Sequence, residues 1–109
     1  MHPEVERLAL LVEAASSFLH KYGEAHWSAW LSKDAARIRN LDLYGFQHVL
    51  GAFGGMGSIS DLLLHPINGH RIPEAEIDRV NEALRSMLPQ VYDLAQQLYR
   101  EELSAKDGT

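Results

Sequence analysis

A carboxylate and a histidine are the strongest candidates for chemistry in this sequence. Asp34 follows Trp27 by seven residues, a spacing that places it near the apolar face of a predicted helix. Because an unpaired charge there is costly, we expect Asp34 to accept hydrogen bonds from backbone N–H groups of residues 54–57 or to pair with a histidine such as His48. In the favoured interpretation Asp34 braces the fold, and alanine at this position lowers stability by more than about 1 kcal/mol. In the functional alternative Asp34 is a base beside His48.

A glycine-rich segment, Gly54-Gly55-Met56-Gly57, is the most specific local feature. Exposed backbone N–H groups at a helix start can bind anions, so a phosphate-binding role is one alternative. The spacing matches neither a Walker A loop nor a dinucleotide-binding or nucleophile-elbow motif, since Ser58 follows Gly57 directly and no lysine is present. The favoured interpretation is a tight turn packed under Trp27 and Trp30. A ligand site at this turn would comprise Asp34, His48, Gly54, Gly55, Gly57, Ser58 and Asp61.

The chain has six histidines, which raises the question of metal binding. No two of them have the i, i+4 spacing of a helical zinc motif, although His65 and His70 flank a turn and could converge with Asp61. We instead expect both to hydrogen-bond the backbone of the loop from His65 to Ile72 and to hold its shape. Neither a metal nor a cofactor is predicted.

Composition limits the partners of this chain. Ten basic residues against fifteen acidic ones give a net charge of −5, which disfavours direct binding to nucleic acid. Cysteine is absent, so the reducing cytoplasm is the simplest compartment to propose. No apolar run approaches the roughly 18–20 residues of a transmembrane helix, and the acidic N-terminus does not resemble a secretory signal. We therefore expect a cytoplasmic protein that does not span a membrane.

Three acids, Glu74, Asp78 and Glu82, are spaced at i, i+4 and i+8 and form a stripe on one predicted helix. A favourable interaction with the positive end of the helix dipole accounts for the presence of Glu74 and contributes to that of Asp78. It does not account for Glu82, whose presence therefore indicates a basic partner. The structural and the functional interpretation both stay open.

Apolar periodicity predicts an all-α fold. One helix ends at about Tyr22 before Gly23, a second spans Glu24 to Ile38, and Asp42 caps a third. Trp27 and Ile38 belong to the apolar face of the second helix, and Ser28 to its polar face. Gly45 and Gly51 indicate close backbone packing or an early helix end.

Beyond the glycine-rich turn, Ser58 and Asp61 resemble a capping box of a short helix through Leu64. For the segment that follows, either a hairpin or an irregular loop is permissible, and the loop is favoured. Pro73 then opens the longest helix, which reaches about Leu103 and should be kinked at Pro89. The prediction is a compact bundle of four main helices forming one domain over residues 1–103, with a frayed tail at 104–109.

The strings His26-Trp27-Ser28-Ala29-Trp30-Leu31 and Ala52-Phe53-Gly54-Gly55-Met56-Gly57-Ser58, with Asp34, Asp61 and Leu62, carry a resemblance. In these segments the chain resembles a family of small, uncharacterised bacterial helical proteins, and the likeness covers most of residues 8–98. The resemblance implies a bacterial, helical, cytoplasmic protein and assigns no catalytic residue. Small acidic helical proteins of this kind often resemble immunity partners of secreted toxins.

These observations favour a non-catalytic module that binds another protein, with neutralisation of a basic toxin domain as its concrete form. The predicted partner-binding residues are the acidic stripe and the exposed loop, namely Glu74, Asp78, Glu82, His65, Asn68, His70 and Arg71. The rival is a small-ligand site or enzyme at Asp34, His48 and the glycine-rich turn. A homodimer through apolar surface of the longest helix is a third alternative.

Overall fold

The computed structural model describes residues 3–107, and the side chains of residues 3–103. Within this range the chain forms four α-helices and three short 3-10 turns, and none of it is strand. The helices are α1 (Pro3–Lys21), α2 (Ala25–Arg39), α3 (Leu43–Gly51) and α4 (Ile77–Asp107), and the 3-10 turns are Ile59–Asp61, Pro66–Asn68 and Glu74–Glu76. The predicted all-α bundle is confirmed.

The ends of the first helices follow local sequence signals. At the end of α1, Gly23 adopts a positive φ of 83°, and the N–H of Glu24 reaches back to the carbonyl of Leu19 at 2.9 Å. The same arrangement ends α2, where Leu41 occupies the left-handed position with φ 56°. Asp42 caps α3 as predicted, because its side chain accepts a hydrogen bond from the N–H of Tyr44 at 3.1 Å.

The apolar faces of the four helices meet in one core, in which α1 packs along α2 and both α1 and α3 pack on α4. Its largest fully buried side chains include Phe46, Leu8, Leu19, Leu31, Ile38, Ile59, Leu64 and Leu84. The assignment of Ser28 to a solvent-facing side of α2 is wrong, because Ser28 is buried against Ser16 of α1. Each serine hydroxyl donates to the backbone carbonyl of the other, at 2.7 and 3.0 Å, so the two helices approach closely without an unsatisfied polar group.

Helices α2 and α3 cross closely at Gly45. A Cβ atom added to Gly45 would lie 2.5 Å from the Cβ of Arg37, so only glycine fits there. Close backbone packing is therefore confirmed at this position. Gly51 has open space where a Cβ would lie, and it is the last residue of α3.

A connecting segment, residues 52–76, joins α3 to α4. The short helix predicted from Ser58 through Leu64 is only the 3-10 turn Ile59–Asp61, because the chain becomes extended at Leu62 (ψ 128°). Asp61 does not complete a capping box with Ser58, since its carboxylate accepts a hydrogen bond from the N–H of Gly57 at 3.0 Å. The favoured loop is confirmed, with the 3-10 turn Pro66–Asn68 at its centre.

One buried side chain of α4 anchors this segment to the core. The Asn81 Oδ1 accepts a hydrogen bond from the N–H of Leu64, and its Nδ2 donates to the carbonyl of the same residue, both at 2.8 Å. Asn81 also donates to the carbonyl of Ile77 at 2.9 Å. Its side-chain amide thus pairs with the extended backbone much as a neighbouring strand would.

The longest helix differs from the prediction at both ends. A 3-10 turn at Glu74–Glu76 follows Pro73, and α4 itself begins at Ile77. It continues through Asp107, beyond the end predicted near Leu103, and residues 108 and 109 of the predicted tail lie outside the described residues. Pro89 lies inside the helix, where the kink stays a prediction.

Candidate functional site

Asp34 is completely buried and paired. Its Oδ1 accepts a hydrogen bond from the Nδ1 of His48 at 2.7 Å and another from the NH1 of Arg37 at 3.1 Å. The predicted pairing with His48 is confirmed. The other predicted partner is wrong, because the only hydrogen bonds that the Asp34 carboxylate makes within the described residues are to His48 and Arg37.

The crossing of α2 and α3 positions this pair. Asp34 and Arg37 lie one turn apart on α2, and His48 reaches them from α3 because Gly45 lets the two backbones approach. The ring of Trp30 stacks on the ring of His48 with centroids 4.0 Å apart and planes 15° from parallel. Trp30 Nε1 also donates to the backbone carbonyl of His48 at 3.1 Å, so both the ring and the backbone of the histidine are held.

Tyr44 of α3 contacts both His48 and the guanidinium of Arg37 on α2. Tyr44 stacks on His48 with ring centroids 5.5 Å apart, and the guanidinium of Arg37 lies 5.0 Å from the centre of the Tyr44 ring. Such a cation–π contact favours the charged guanidinium at a partly desolvated position. We call these five residues the carboxylate–histidine cluster: Trp30, Asp34, Arg37, Tyr44 and His48.

The electrostatics of the cluster are set by burial. Burial raises the pKa of the Asp34 carboxyl above its usual range, and the hydrogen bonds and charges of His48 and Arg37 act in the opposite direction. The Oδ2 atom of Asp34 is buried and has no hydrogen-bond partner within the described residues. A carboxylate bound to Nδ1 favours the tautomer with a proton on Nδ1, which leaves the Nε2 of His48 for acid–base or hydrogen-bond chemistry.

An open cleft of about 320 Å³ lies over this cluster, lined by His26, Ala29, Trp30, Lys33, Arg37 and His48. The side chains of His48 and Arg37 are 24% and 34% exposed, so both are accessible from the cleft. Sequence reasoning missed Arg37, Lys33 and His26. The signal for Arg37 was its position three residues after Asp34 on the same helix.

The glycine-rich turn does not join this cleft, so the predicted ligand site divides into two places. Its Gly57, Ser58 and Asp61 line a second cleft of about 290 Å³ together with Glu24, Trp27, Leu62, Leu63, Asn68 and His70. The predicted packing of the turn under both tryptophans is wrong, because residues 54–57 are all exposed. Positive φ angles of 77° and 80° explain the glycines at positions 55 and 57 instead.

The two loop histidines hold the connecting segment, as predicted. His65 Nδ1 accepts a hydrogen bond from the N–H of Ile67, and His70 Nδ1 accepts one from the N–H of His65, both at 3.0 Å. The Nε2 of His70 lies 3.0 Å from a carboxylate oxygen of Glu24, which itself caps α2. Because His70 is 8% exposed and paired on both nitrogens, its assignment to a partner-binding surface is wrong.

The remaining predicted partner-binding residues lie at or near the surface. Glu74, Asp78 and Glu82 are all exposed, as are Asn68 and Arg71, whereas His65 is partly buried. The structure adds two apolar side chains that the sequence pattern did not single out. Met56 is 98% exposed and Ile67 is 83% exposed, each at the outer edge of the connecting segment.

Neither a cluster of metal ligands nor a membrane-spanning helix occurs among the described residues. No group of three or more His, Asp or Glu side chains within them is placed to hold one metal ion. None of the helices in this part of the chain combines the length and the apolar character needed to cross a bilayer.

The fold and the site define an all-α protein in which a buried carboxylate is paired with a partly exposed histidine at an open cleft. A family model described as a domain of unknown function (DUF6966) matches residues 20–73. The match includes α2, α3 and the greater part of the connecting segment, and it ends before α4. No curated protein and no solved structure matches the chain.

Proposed function

We propose that this chain is a non-catalytic cytoplasmic module that binds a basic protein through its connecting segment, most concretely a toxin that it neutralises. The observation that carries the proposal is the exposure of Met56 and Ile67 on a segment whose backbone accepts and donates several hydrogen bonds to side chains. Exposed apolar surface that is bordered by polar residues marks protein interaction sites, and these two side chains are the basis of such a surface here.

The connecting segment is braced, which lowers the entropy lost on binding. Asn81 holds its extended part, and His65 and His70 hold the turn that presents Ile67. Asn68 donates from its side chain to the carbonyl of Leu63 at 3.1 Å, which closes the same turn from the other side. An inhibitor of this kind needs a shaped surface and no nucleophile.

The acidic side chains around the connecting segment indicate that the partner is basic. Between residues 52 and 82 the chain carries five acidic side chains and two arginines. Glu74 near the end of the connecting segment and Asp78 and Glu82 just beyond it are exposed, so a partner with an apolar centre bordered by lysine or arginine is complementary to this face. The long-range attraction would mainly accelerate association, and the apolar contacts would slow dissociation.

A capture experiment with matched variants tests the proposal. The tagged full-length protein, Ile67→Ser and Leu10→Ser are each used to capture partners from the native cell lysate, followed by a moderate-salt wash and mass spectrometry. Leu10 is an equally apolar residue, 55% exposed on α1, and therefore serves as the control. We expect one basic partner in near-equal amount with the wild type and Leu10→Ser, and its loss with Ile67→Ser. A partner retained by Ile67→Ser, or lost equally with both variants, would overturn the assignment of this surface.

The purified partner then tests the acidic stripe and the toxin form of the proposal. Neutralising Glu74, Asp78 and Glu82 together should slow association and weaken its salt dependence. No change in either quantity removes this stripe from the interface. If the partner is a toxin, one equivalent of the wild type should abolish its activity, whereas Ile67→Ser should require excess.

A further inference from the structure

The cleft over the carboxylate–histidine cluster is lined by basic side chains although the protein as a whole is acidic. Its lining contains His26, Lys33, Arg37 and His48 and includes neither Asp nor Glu. The chain carries a net charge of −5 with histidine counted as neutral, so a cleft lined by Lys33 and Arg37 without an acidic side chain departs from the overall composition. Lys33 is exposed and makes no ion pair within the described part of the chain.

Several hydrogen-bond donors of this cleft make no hydrogen bond to the described part of the chain. Arg37 uses NH1 to bind Asp34, which leaves the other N–H groups of its five-donor guanidinium for a ligand. Lys33 adds the three donors of its ammonium group. Because Asp34 holds the Nδ1 of His48, the Nε2 edge of that ring can also face a ligand, and a protonated His48 donates from it.

Asp34 holds His48 and Arg37 in place, and its own carboxylate does not line the cleft. Within the described residues it is the one carboxylate that hydrogen-bonds His48 or Arg37, and it is completely buried. The stacking of His48 on Trp30 and the position of Arg37 over Tyr44 also fix the two donors. Preorganised donors of this kind bind an anion with little loss of side-chain entropy.

We propose that this cleft binds a small phosphate-bearing molecule, with Lys33, Arg37 and His48 as donors to its phosphate group. The guanidinium fork and the ammonium group match the several oxygens of a phosphate. At about 320 Å³ the cleft is larger than a phosphate ion requires and lies at the lower end of small-ligand sites. The ligand is therefore either free phosphate or a compact phosphate monoester. This inference does not depend on the proposed protein-binding function, which uses a different surface.

Calorimetric titration of the full-length protein with inorganic phosphate and with glycerol 3-phosphate tests the inference, at constant ionic strength maintained with chloride. The variants are Lys33→Gln and, as the matched control, Arg100→Gln, which removes an equal charge from an exposed position on α4. We expect saturable binding at one site, a loss of affinity of about tenfold or more in Lys33→Gln, and a change of less than about twofold in Arg100→Gln. Tighter binding of glycerol 3-phosphate would identify a phosphate monoester, and equal or tighter binding of inorganic phosphate would identify the free ion.

A second measurement does not depend on any variant. Phosphate should shift the NMR signals of the His48 ring and the Trp30 indole N–H in the wild type, with the same apparent affinity as calorimetry. Non-saturable binding, equal losses in Lys33→Gln and Arg100→Gln, wild-type affinity in Lys33→Gln, or shifts confined to residues outside the cleft would each overturn the proposal.

Discussion

Replacing Asp34 with alanine removes the acceptor that joins α2 to α3. The substitution eliminates two charge-assisted hydrogen bonds, each worth roughly 1.5–3 kcal/mol, from His48 at 2.7 Å and Arg37 at 3.1 Å. Two effects offset this loss. The buried carboxylate no longer has to be desolvated, and the two donors, with side chains 24% and 34% exposed, can rebind water.

The balance is a net loss of about 1–3 kcal/mol in the free energy of unfolding, and a fall in melting temperature of roughly 5–15 °C. Urea unfolding followed by circular dichroism measures the first quantity and thermal unfolding measures the second. Asp93→Ala is the control, because Asp93 is exposed on α4 and its loss should change stability by less than about 0.5 kcal/mol. An unchanged midpoint in Asp34→Ala, or a change equal to that of Asp93→Ala, would refute the role of Asp34 as a brace.

The pH dependence of the same site has a definite sign. Because burial raises the pKa of Asp34 in the folded protein, the folded state holds this proton more tightly than the unfolded state does. The stabilisation is complete below the unfolded pKa of about 4 and is lost as the pH rises through the folded value. Asp34→Asn cannot titrate, so the stability of the wild type minus that of Asp34→Asn should fall across this window and then level off. A difference that is flat or rises with pH would contradict this reasoning.

Two further substitutions test the packing around the site. Gly45→Ala should destabilise the protein by about 1–2 kcal/mol, because its Cβ would lie 2.5 Å from the Cβ of Arg37, whereas Gly51→Ala in the same helix should be neutral or stabilise by up to about 1 kcal/mol. Equal effects of these two variants in urea unfolding would show that the helix crossing tolerates a side chain. Asn81→Ala should cost about 2–4 kcal/mol, because it leaves the buried N–H and C=O of Leu64 without a partner. Faster amide exchange at Leu64 is the accompanying signature, and unaltered exchange there would argue against the anchor.

The helices could be predicted from the sequence because their signals are local. Apolar residues at three- and four-residue steps, Gly23 after the first helix and Asp42 before the third place most boundaries within a few residues. The sequence-based predictions were wrong where tertiary contacts override the local pattern of apolar and polar residues. Ser28 is buried because Ser16 on another helix satisfies its hydroxyl group, and no periodicity along one helix contains that information.

The need of Asp34 for a partner could also be predicted, since a carboxylate on an apolar face must be neutralised or hydrogen-bonded. Its partner could not be chosen from the sequence, because His48 and the glycine-rich turn were both plausible neighbours. The crossing of α2 and α3 at Gly45 decides between them by bringing His48 within 2.7 Å. The glycine-rich turn does not line the cleft over Asp34, and its Gly57 lines a second cleft.

The sequence by itself determined the helical class, the helix stops and the requirement that Asp34 be paired, because each depends on neighbours within a few residues. Only the tertiary structure decided which surface each polar residue serves. In the folded protein, His70 is buried and hydrogen-bonds the backbone, and Met56 and Ile67 are exposed. Lys33 and Arg37 lie beside His48 in one basic cleft. The physical reason is that accessibility and cluster charge depend on how the helices cross, and those crossings join residues far apart in the chain.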